Sequence, residues 1–163
     1  LPAWGEYDDP DPAVIRQHLQ WSRGANVNLW VLSWWGPQSR EDRTAKNVIM
    51  PHPDLPGTRI AFFYETTSRL KRQNYTTANV YPDVEYMANT YFDDPNYMRI
   101  DGRPVLFVYL TRLLSDKGTL EEVTTLMRQA AMENGGHDLY IMGDQVMGEA
   151  PRNGKEYAPF TLL

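Results

Sequence analysis

The sequence contains no cysteine among its 163 residues. Without thiols the chain can form neither a disulfide framework nor a thiolate metal site. Long apolar runs are missing as well, and no stretch approaches the ~20 residues that a membrane-spanning helix requires. The three histidines, His18, His52 and His137, lie far apart and lack the spacing of metal ligands. We therefore expect no metal, no cofactor and no membrane span.

Basic residues are too few and too scattered for a nucleic-acid surface. The net charge is −5, whereas phosphate binding needs clustered Lys and Arg. The one basic run covers residues 69–72 and is interrupted by Leu70, so a solvated helix or loop face is its simpler interpretation. We exclude nucleic acid as a partner.

The length of 163 residues suits one domain with a core of its own. The chain opens on Leu1 rather than Met, and it stops in the apolar stretch Phe160–Leu163, which resembles the start of a buried strand. We expect residues 1–163 to form a single domain that is a fragment of a larger protein.

Four apolar runs alternate with helical patterns, which predicts repeated strand–helix–strand units. Such units form a parallel sheet, because only a crossover returns the chain to the same edge. We expect the strands to be neighbours in chain order, with right-handed crossovers. The predicted strands are Val27–Ser33, Arg59–Tyr64, Pro104–Tyr109 and Leu139–Gly143. The predicted helices are Pro12–Gly24 after the N-cap Asp11, Ser39–Met50, Asn79–Tyr91 and Asp116–Asn134, and the predicted rim loops are Thr66–Thr77 and Gln145–Ala158. Ser39 and Asp42 resemble a capping box with Asp in place of the usual Glu, and Arg99–Pro104 resembles a tight turn before the third strand.

Polar and aromatic residues follow the predicted strands at their carboxyl ends. These ends share one rim of a parallel sheet, where α/β proteins place their sites. Aromatic rings beside carboxylates suit a sugar, whose C–H face packs on a ring while its hydroxyls hydrogen-bond to acids. The residues that we expect to line sugar subsites are Trp34, Trp35, Tyr64, Glu65, Tyr109 and Arg112, and the candidate catalytic carboxylates are Glu65 and Asp144.

Several of these residues also have a structural interpretation. A carboxylate is costly to bury unpaired, so Glu65 either binds a ligand or pairs with an arginine. Asp144 either acts in the site or caps the next helix or loop. Strand alternation sends Trp34 and Trp35 to opposite faces, or both rings fill the core. The arginines that we consider as partners of Glu65 are Arg59, Arg69 and Arg112.

Three segments resemble glycoside hydrolase family 99, the endo-α-mannosidase family. They are Asp11–Leu19, Val31–Pro37 and Tyr97–Tyr109, which include Ser-Trp-Trp-Gly-Pro and Ile-Asp-Gly-Arg-Pro. The resemblance touches most of residues 11–109. It implies the front half of a (β/α)8 barrel, and an enzyme that cleaves internal α-mannosidic linkages with retention and without a metal.

The resemblance also implies roles for single residues. Glu65 matches a family glutamate in a substrate-contacting subsite, whereas Thr66 stands where the family usually has proline, a departure that bears on mannosidase specificity. The family's catalytic carboxylates lie on a later strand, in a segment that this chain lacks. We therefore expect residues 1–163 alone to be inactive and the full-length protein to be an endo-acting hydrolase.

Our interpretation is a partial (β/α)8 TIM barrel from a secreted, periplasmic or cell-surface protein that acts on an oligosaccharide or polysaccharide. Missing chain or another subunit would cover the open sheet edges. One alternative is a non-catalytic carbohydrate-binding or cell-surface structural protein on the same scaffold, because fold does not determine function. The other is a complete, doubly wound domain with a ligand at the strand ends.

Overall fold

The computed structural model of the protein describes residues 8 and 10–144. Four parallel strands form the sheet: β1 (Leu29–Trp34), β2 (Arg59–Tyr64), β4 (Arg103–Val108) and β5 (Tyr140–Gly143). They lie in the order β1-β2-β4-β5. The spatial order of these parallel strands is therefore their chain order, as predicted.

A short strand, β3 (Arg99–Ile100), pairs antiparallel with the start of β4. The turn between them consists of Asp101 and Gly102, with φ of 51° and 78°. Positive φ at both central residues is what a two-residue hairpin turn requires, and Asp-Gly is a favoured pair there. The tight turn was predicted from the sequence, but the antiparallel pairing was not.

The first two helices begin at the caps that the sequence predicts. Helix α1 (Pro12–Gly24) follows Asp11, whose carboxylate accepts a hydrogen bond from the Ala13 N–H at 2.8 Å. Helix α2 (Arg40–Thr44) follows Ser39, whose Oγ accepts from the Asp42 N–H at 3.1 Å. It continues as a π-helical turn, Ala45–Ile49. Caps that satisfy orphan N–H groups thus set both helix starts.

Four further helices complete the described part of the chain. They are α3 (Thr66–Arg69), followed by a 3₁₀ turn (Lys71–Gln73), α4 (Val80–Met87), continued by a π-helical turn (Ala88–Phe92), α5 (Thr111–Asp116) and α6 (Leu120–Glu133). Helix α3 lies in the stretch predicted as a loop over Thr66–Thr77. The predicted helix Asp116–Asn134 corresponds to α6, which begins four residues later at Leu120, whereas α5, which ends at Asp116, was not predicted.

The break between α5 and α6 has a clear cause in Gly118. Its φ is +71°, and the Gly118 and Thr119 N–H groups donate to Ser115 and Leu114 carbonyls at 2.9 Å. This is the Schellman pattern that ends a helix at a left-handed glycine.

The predicted loop Gln145–Ala158 and the predicted strand start at Phe160–Leu163 lie outside the described residues.

The two faces of the sheet differ in their surroundings. One, the helix face, carries residues such as Leu32, Phe62, Leu106 and Ile141, which share one register row and pack with the helices in the core. The other, the open face, carries the next row, formed by Ser33, Phe63, Phe107 and Met142, none of which is fully buried. A doubly wound domain has helices on both faces and a reversal of strand order. Neither feature is present in the part of the chain that the structure describes, so the doubly wound alternative is wrong.

Candidate functional site

Four residues form a row across the open face, one position beyond the strand ends. The parallel ladder continues past each strand, because the N–H groups of Glu65, Tyr109 and Asp144 donate to the preceding strand at 3.1–3.2 Å. Since alternate residues of a strand share a face, the residues two positions after Ser33, Phe63, Phe107 and Met142 continue the open face beyond the strand ends. We call this set the rim row: Trp35, Glu65, Tyr109 and Asp144.

Glu65 is a largely buried carboxylate of the rim row. It is 7% exposed, and its Oε1 accepts a hydrogen bond from the Ser33 hydroxyl at 2.9 Å. In the part of the chain that the structure describes, no cation pairs with it; Arg69 pairs instead with Asp83. A buried carboxylate needs hydrogen-bond donors, so Glu65 is suited to binding a ligand that brings them.

Tyr109 joins an aromatic surface on the same face. Its ring lies 5.4 Å from that of Phe63, and Phe63 lies 6.3 Å from Phe107. The Tyr109 carbonyl accepts a hydrogen bond from Thr66 Oγ1 at 2.8 Å. The next residue, Leu110, has φ 56° and ψ 42°, a left-handed conformation that is rare for a bulky side chain. The backbone at Tyr109 is thus held in an uncommon turn, and Thr66 helps to hold it.

Trp35 is the exposed aromatic of the rim row. It is 37% exposed and precedes Gly36, where the backbone turns with φ +118°. The side chain therefore offers ring surface at the carboxyl edge of the sheet, one strand away from Glu65.

Asp144 contacts the start of α5. Its Oδ1 lies 3.4 Å from the Thr111 N–H, and the Thr111 hydroxyl donates to its carbonyl oxygen. Burial raises the pKa of the Asp144 carboxyl, and hydrogen bonds from the Thr111 and Leu110 N–H groups oppose that rise. The capping alternative accounts for these contacts, although the capped helix precedes Asp144 rather than follows it.

Trp34 and Tyr64 require a correction. Both lie on the helix face and are 0% exposed, so neither ring surface is available to a ligand. Trp34 Nε1 donates to Asp42 at 2.9 Å, and Tyr64 Oη donates to Asp83 at 2.8 Å. Burial, together with the nearby Asp83, raises the pKa of Tyr64 well above its usual range. Both residues belong to the core instead of the sugar subsites predicted for them.

The sequence did not predict that two buried carboxylates, Asp42 and Asp83, accept several hydrogen bonds each. Asp42 accepts hydrogen bonds from the Trp34 indole, the Gln38 N–H and two tyrosine hydroxyls, at 2.6–2.9 Å. Asp83 accepts two from Arg69 at 2.7 Å each. The sequence predicts Asp42 only as the partner of Ser39 at the helix start, and it carries no signal for the other hydrogen bonds. The tyrosines bound to Asp42 are Tyr86 and Tyr91.

Arg112 is the second residue of α5 and is partly buried, so its role as a substrate contact stays a prediction.

Within residues 8 and 10–144, no three His, Cys, Asp or Glu side chains form a group that could hold a metal ion. Over the same residues, no helix has the length and apolar character needed to cross a bilayer.

Successive parallel βα units with helices on one face and polar residues at the carboxyl edge define a portion of a (β/α)8 barrel. The chain is a barrel protein of this class. It belongs to glycosyl hydrolase family 99, whose model matches residues 1–141.

The chain is also similar to individual proteins of known name. The glycoprotein endo-alpha-1,2-mannosidases of Mus musculus and Rattus norvegicus are each 26% identical over 118 residues, which cover 66% of this chain and 24% of each relative. The GH99 endo-alpha-mannosidase of Bacteroides thetaiotaomicron superposes with a TM-score of 0.71 at 21% identity, over 97% of this chain and 46% of that one. A glycoside hydrolase-like protein gives 0.64 at 20%, over 89% and 47%. The chain thus spans about a quarter of the length of the curated relatives.

Proposed function

We propose that the protein containing this chain is an endo-acting glycoside hydrolase of α-mannosidic or related linkages, and that the open-face rim binds the glycan. The observation that carries this proposal is Glu65, a largely buried carboxylate without a cationic partner in the described chain, beside the aromatic residues of the rim row. Membership of family 99 and the mannosidase relatives support the choice of mannose.

Three residues of the rim row, together with Arg112, have distinct parts in binding. Ser33 holds one oxygen of Glu65, and the carboxylate accepts hydrogen bonds from two sugar hydroxyls, which are stronger for a charged acceptor. The exposed ring of Trp35 packs on the C–H face of the sugar. Tyr109, set by Thr66, extends this aromatic wall, and Arg112 donates to hydroxyls from the start of α5.

The catalytic pair of a retaining enzyme is, on this proposal, supplied by protein outside this chain. Glu65 and Asp144 follow strands β2 and β5, which β4 separates. Strands lie about 4.8 Å apart, so two spacings place the backbones about 10 Å apart. A retaining pair needs carboxyl groups about 5–5.5 Å apart, and Asp144 is also bound to α5. Residues 1–163 by themselves should therefore not hydrolyse a mannoside.

The sheet edge at β1 supports the view that residues 1–163 are part of a larger barrel. In the described chain β1 pairs with β2 alone. A cleft of about 260 Å³ runs along it, lined by residues from both faces, including Val31, Leu32 and Ser33. An apolar unpaired edge invites further pairing. We propose that more of the same protein, or another subunit, lies against it.

A non-catalytic carbohydrate-binding or cell-surface structural protein is the second candidate. The described residues at the rim offer groups that bind a sugar but no closely spaced carboxylate pair, and a binding protein needs no such pair. A catalytic glutamate pair elsewhere in the gene would exclude it. For either candidate we propose a secreted, periplasmic or cell-surface location, in keeping with the glycoprotein substrates named for the relatives.

Glu65→Gln in the complete protein tests the proposal. We expect it to weaken binding of an α-1,2-linked mannooligosaccharide by ~1.5–3 kcal/mol, because a neutral amide replaces a charged acceptor. Isothermal titration measures this, and Glu121→Gln, at an exposed position of α6, is the matched control. Wild-type affinity in the Glu65 variant would assign the carboxylate to the structure rather than to the sugar.

A further inference from the structure

We infer that Arg69 is a positioning residue of the glycan site, because its guanidinium group clamps the turn after β1 to the segment after β2. These two segments carry Trp35 and Glu65. The inference rests on the function proposed for the rim row, and it concerns a residue that touches neither the sugar nor the reacting atoms.

Asp83 holds the guanidinium group of Arg69 in place from the core side. Arg69 Nε and Nη2 each donate to a different oxygen of Asp83 at 2.7 Å, the two-pronged geometry that best orients an arginine. Asp83 is 1% exposed and lies in α4, and it also accepts from Tyr64. The Arg69 side chain is 20% exposed. A buried, fully engaged carboxylate thus anchors this arginine to the core.

The remaining nitrogen of the guanidinium packs on Gly36. A Cβ placed on Gly36 would lie 2.7 Å from Arg69 Nη1 and 2.9 Å from Cζ, closer than non-bonded atoms come. Gly36 also has φ +118°, a region open mainly to glycine. Glycine is therefore required here twice, once for the turn and once for the close approach of Arg69. The turn that begins at Trp35 rests directly on the arginine.

The other end of Arg69 is joined to Glu65. Arg69 is the last residue of α3, and its N–H donates to the Glu65 carbonyl at 3.2 Å. The Ser68 hydroxyl donates to the same carbonyl at 3.0 Å. Asn79 also donates to the Arg69 carbonyl at 3.0 Å, which ties the end of α3 to the approach to α4. A displaced Arg69 would therefore shift Glu65 and Trp35 together.

Two matched pairs of variants test the clamp in the complete protein. Gly36→Ala displaces the guanidinium, whereas Gly57→Ala imposes a similar backbone strain, at φ +97°, with no atom within 4 Å of the new Cβ. Arg69→Met breaks the ion pair at the rim, whereas Arg103→Met breaks the 3.0 Å pair with Asp138 at the opposite end of the sheet. The readouts are affinity for an α-1,2-linked mannooligosaccharide, and amide hydrogen exchange of residues 34–37 and 65–70.

Gly36→Ala and Arg69→Met should each weaken binding about tenfold or more, as small misplacements of binding groups do, and should speed exchange in both segments. Arg69→Lys, which keeps the charge without the two-pronged bond, should fall between these and wild type. Gly57→Ala and Arg103→Met should have wild-type affinity and wild-type exchange rates in these two segments, even if they lower the Tm as much as Gly36→Ala and Arg69→Met do.

Equal losses of affinity in the control variants would overturn the clamp, because they would show a general loss of stability. Wild-type affinity and wild-type exchange rates in Arg69→Lys and Arg69→Met would overturn it as well. If Gly36→Ala does not fold, the Arg69 series decides alone. A wild-type protein that binds no mannooligosaccharide overturns the proposed function. In that case amide hydrogen exchange tests the clamp by itself. The clamp is contradicted if Arg69→Met leaves the exchange rates of residues 34–37 and 65–70 unchanged.

Discussion

Trp34 and Trp35 are neighbours in the chain and lie in different regions of the molecule. Trp34 is fully buried on the helix face, where its indole N–H binds Asp42. Trp35 is 37% exposed at the open face. The same contrast separates Tyr64, bound to Asp83, from Glu65. Residues one position apart thus serve the fold on one face and the proposed site on the other.

The two faces also treat their carboxylates differently. Asp42 and Asp83 lie beneath the helix face, and each accepts hydrogen bonds from several protein groups. Glu65 is almost as buried but has Ser33 as its one side-chain donor among the described residues. A buried carboxylate that the protein satisfies stabilises the fold, whereas one that it leaves short of donors is suited to a ligand.

The largest effect is expected on the helix face, from Asp42→Ala. The change leaves the Trp34 indole, the Tyr86 and Tyr91 hydroxyls and one backbone N–H without their acceptor, and should lower the free energy of unfolding by about 3–5 kcal/mol. Urea unfolding measures it. Asp54→Ala, which removes a solvent-exposed ion pair with Arg16, should cost under about 1 kcal/mol. Similar losses for the two variants would contradict the helix-face account.

The contrast between the faces was only half predictable from the sequence. The period of two in a strand places Trp34 and Trp35 on opposite faces, but which ring faces the ligand depends on where the helices pack. The caps at Asp11 and Ser39 were predictable, because a side chain and a nearby N–H decide them locally. The acceptor roles of Asp42 and Asp83 were not, because their donors come from distant parts of the chain, such as Tyr91.

A smaller effect is expected at Asp144, where the rim row meets α5. Because folding raises the pKa of this carboxyl, its protonated form is favoured in the folded state. Its contribution to stability is therefore fully present below the ordinary value of 3.8 and is lost as the pH rises through the folded pKa. Denaturant unfolding over this pH range should show wild type losing stability relative to Asp144→Asn. A constant difference between the two would mean that the carboxyl titrates as it does in the unfolded chain.

The most direct test of the division between the two faces is a calorimetric titration of two variants of the complete protein with an α-1,2-linked mannooligosaccharide. Trp35→Ala should weaken binding by about 1–3 kcal/mol, because it removes the ring surface that the sugar covers. Trp34→Phe keeps a ring in the core but loses the bond to Asp42, so it should bind as wild type does. The account is contradicted if Trp34→Phe loses affinity while Trp35→Ala retains it.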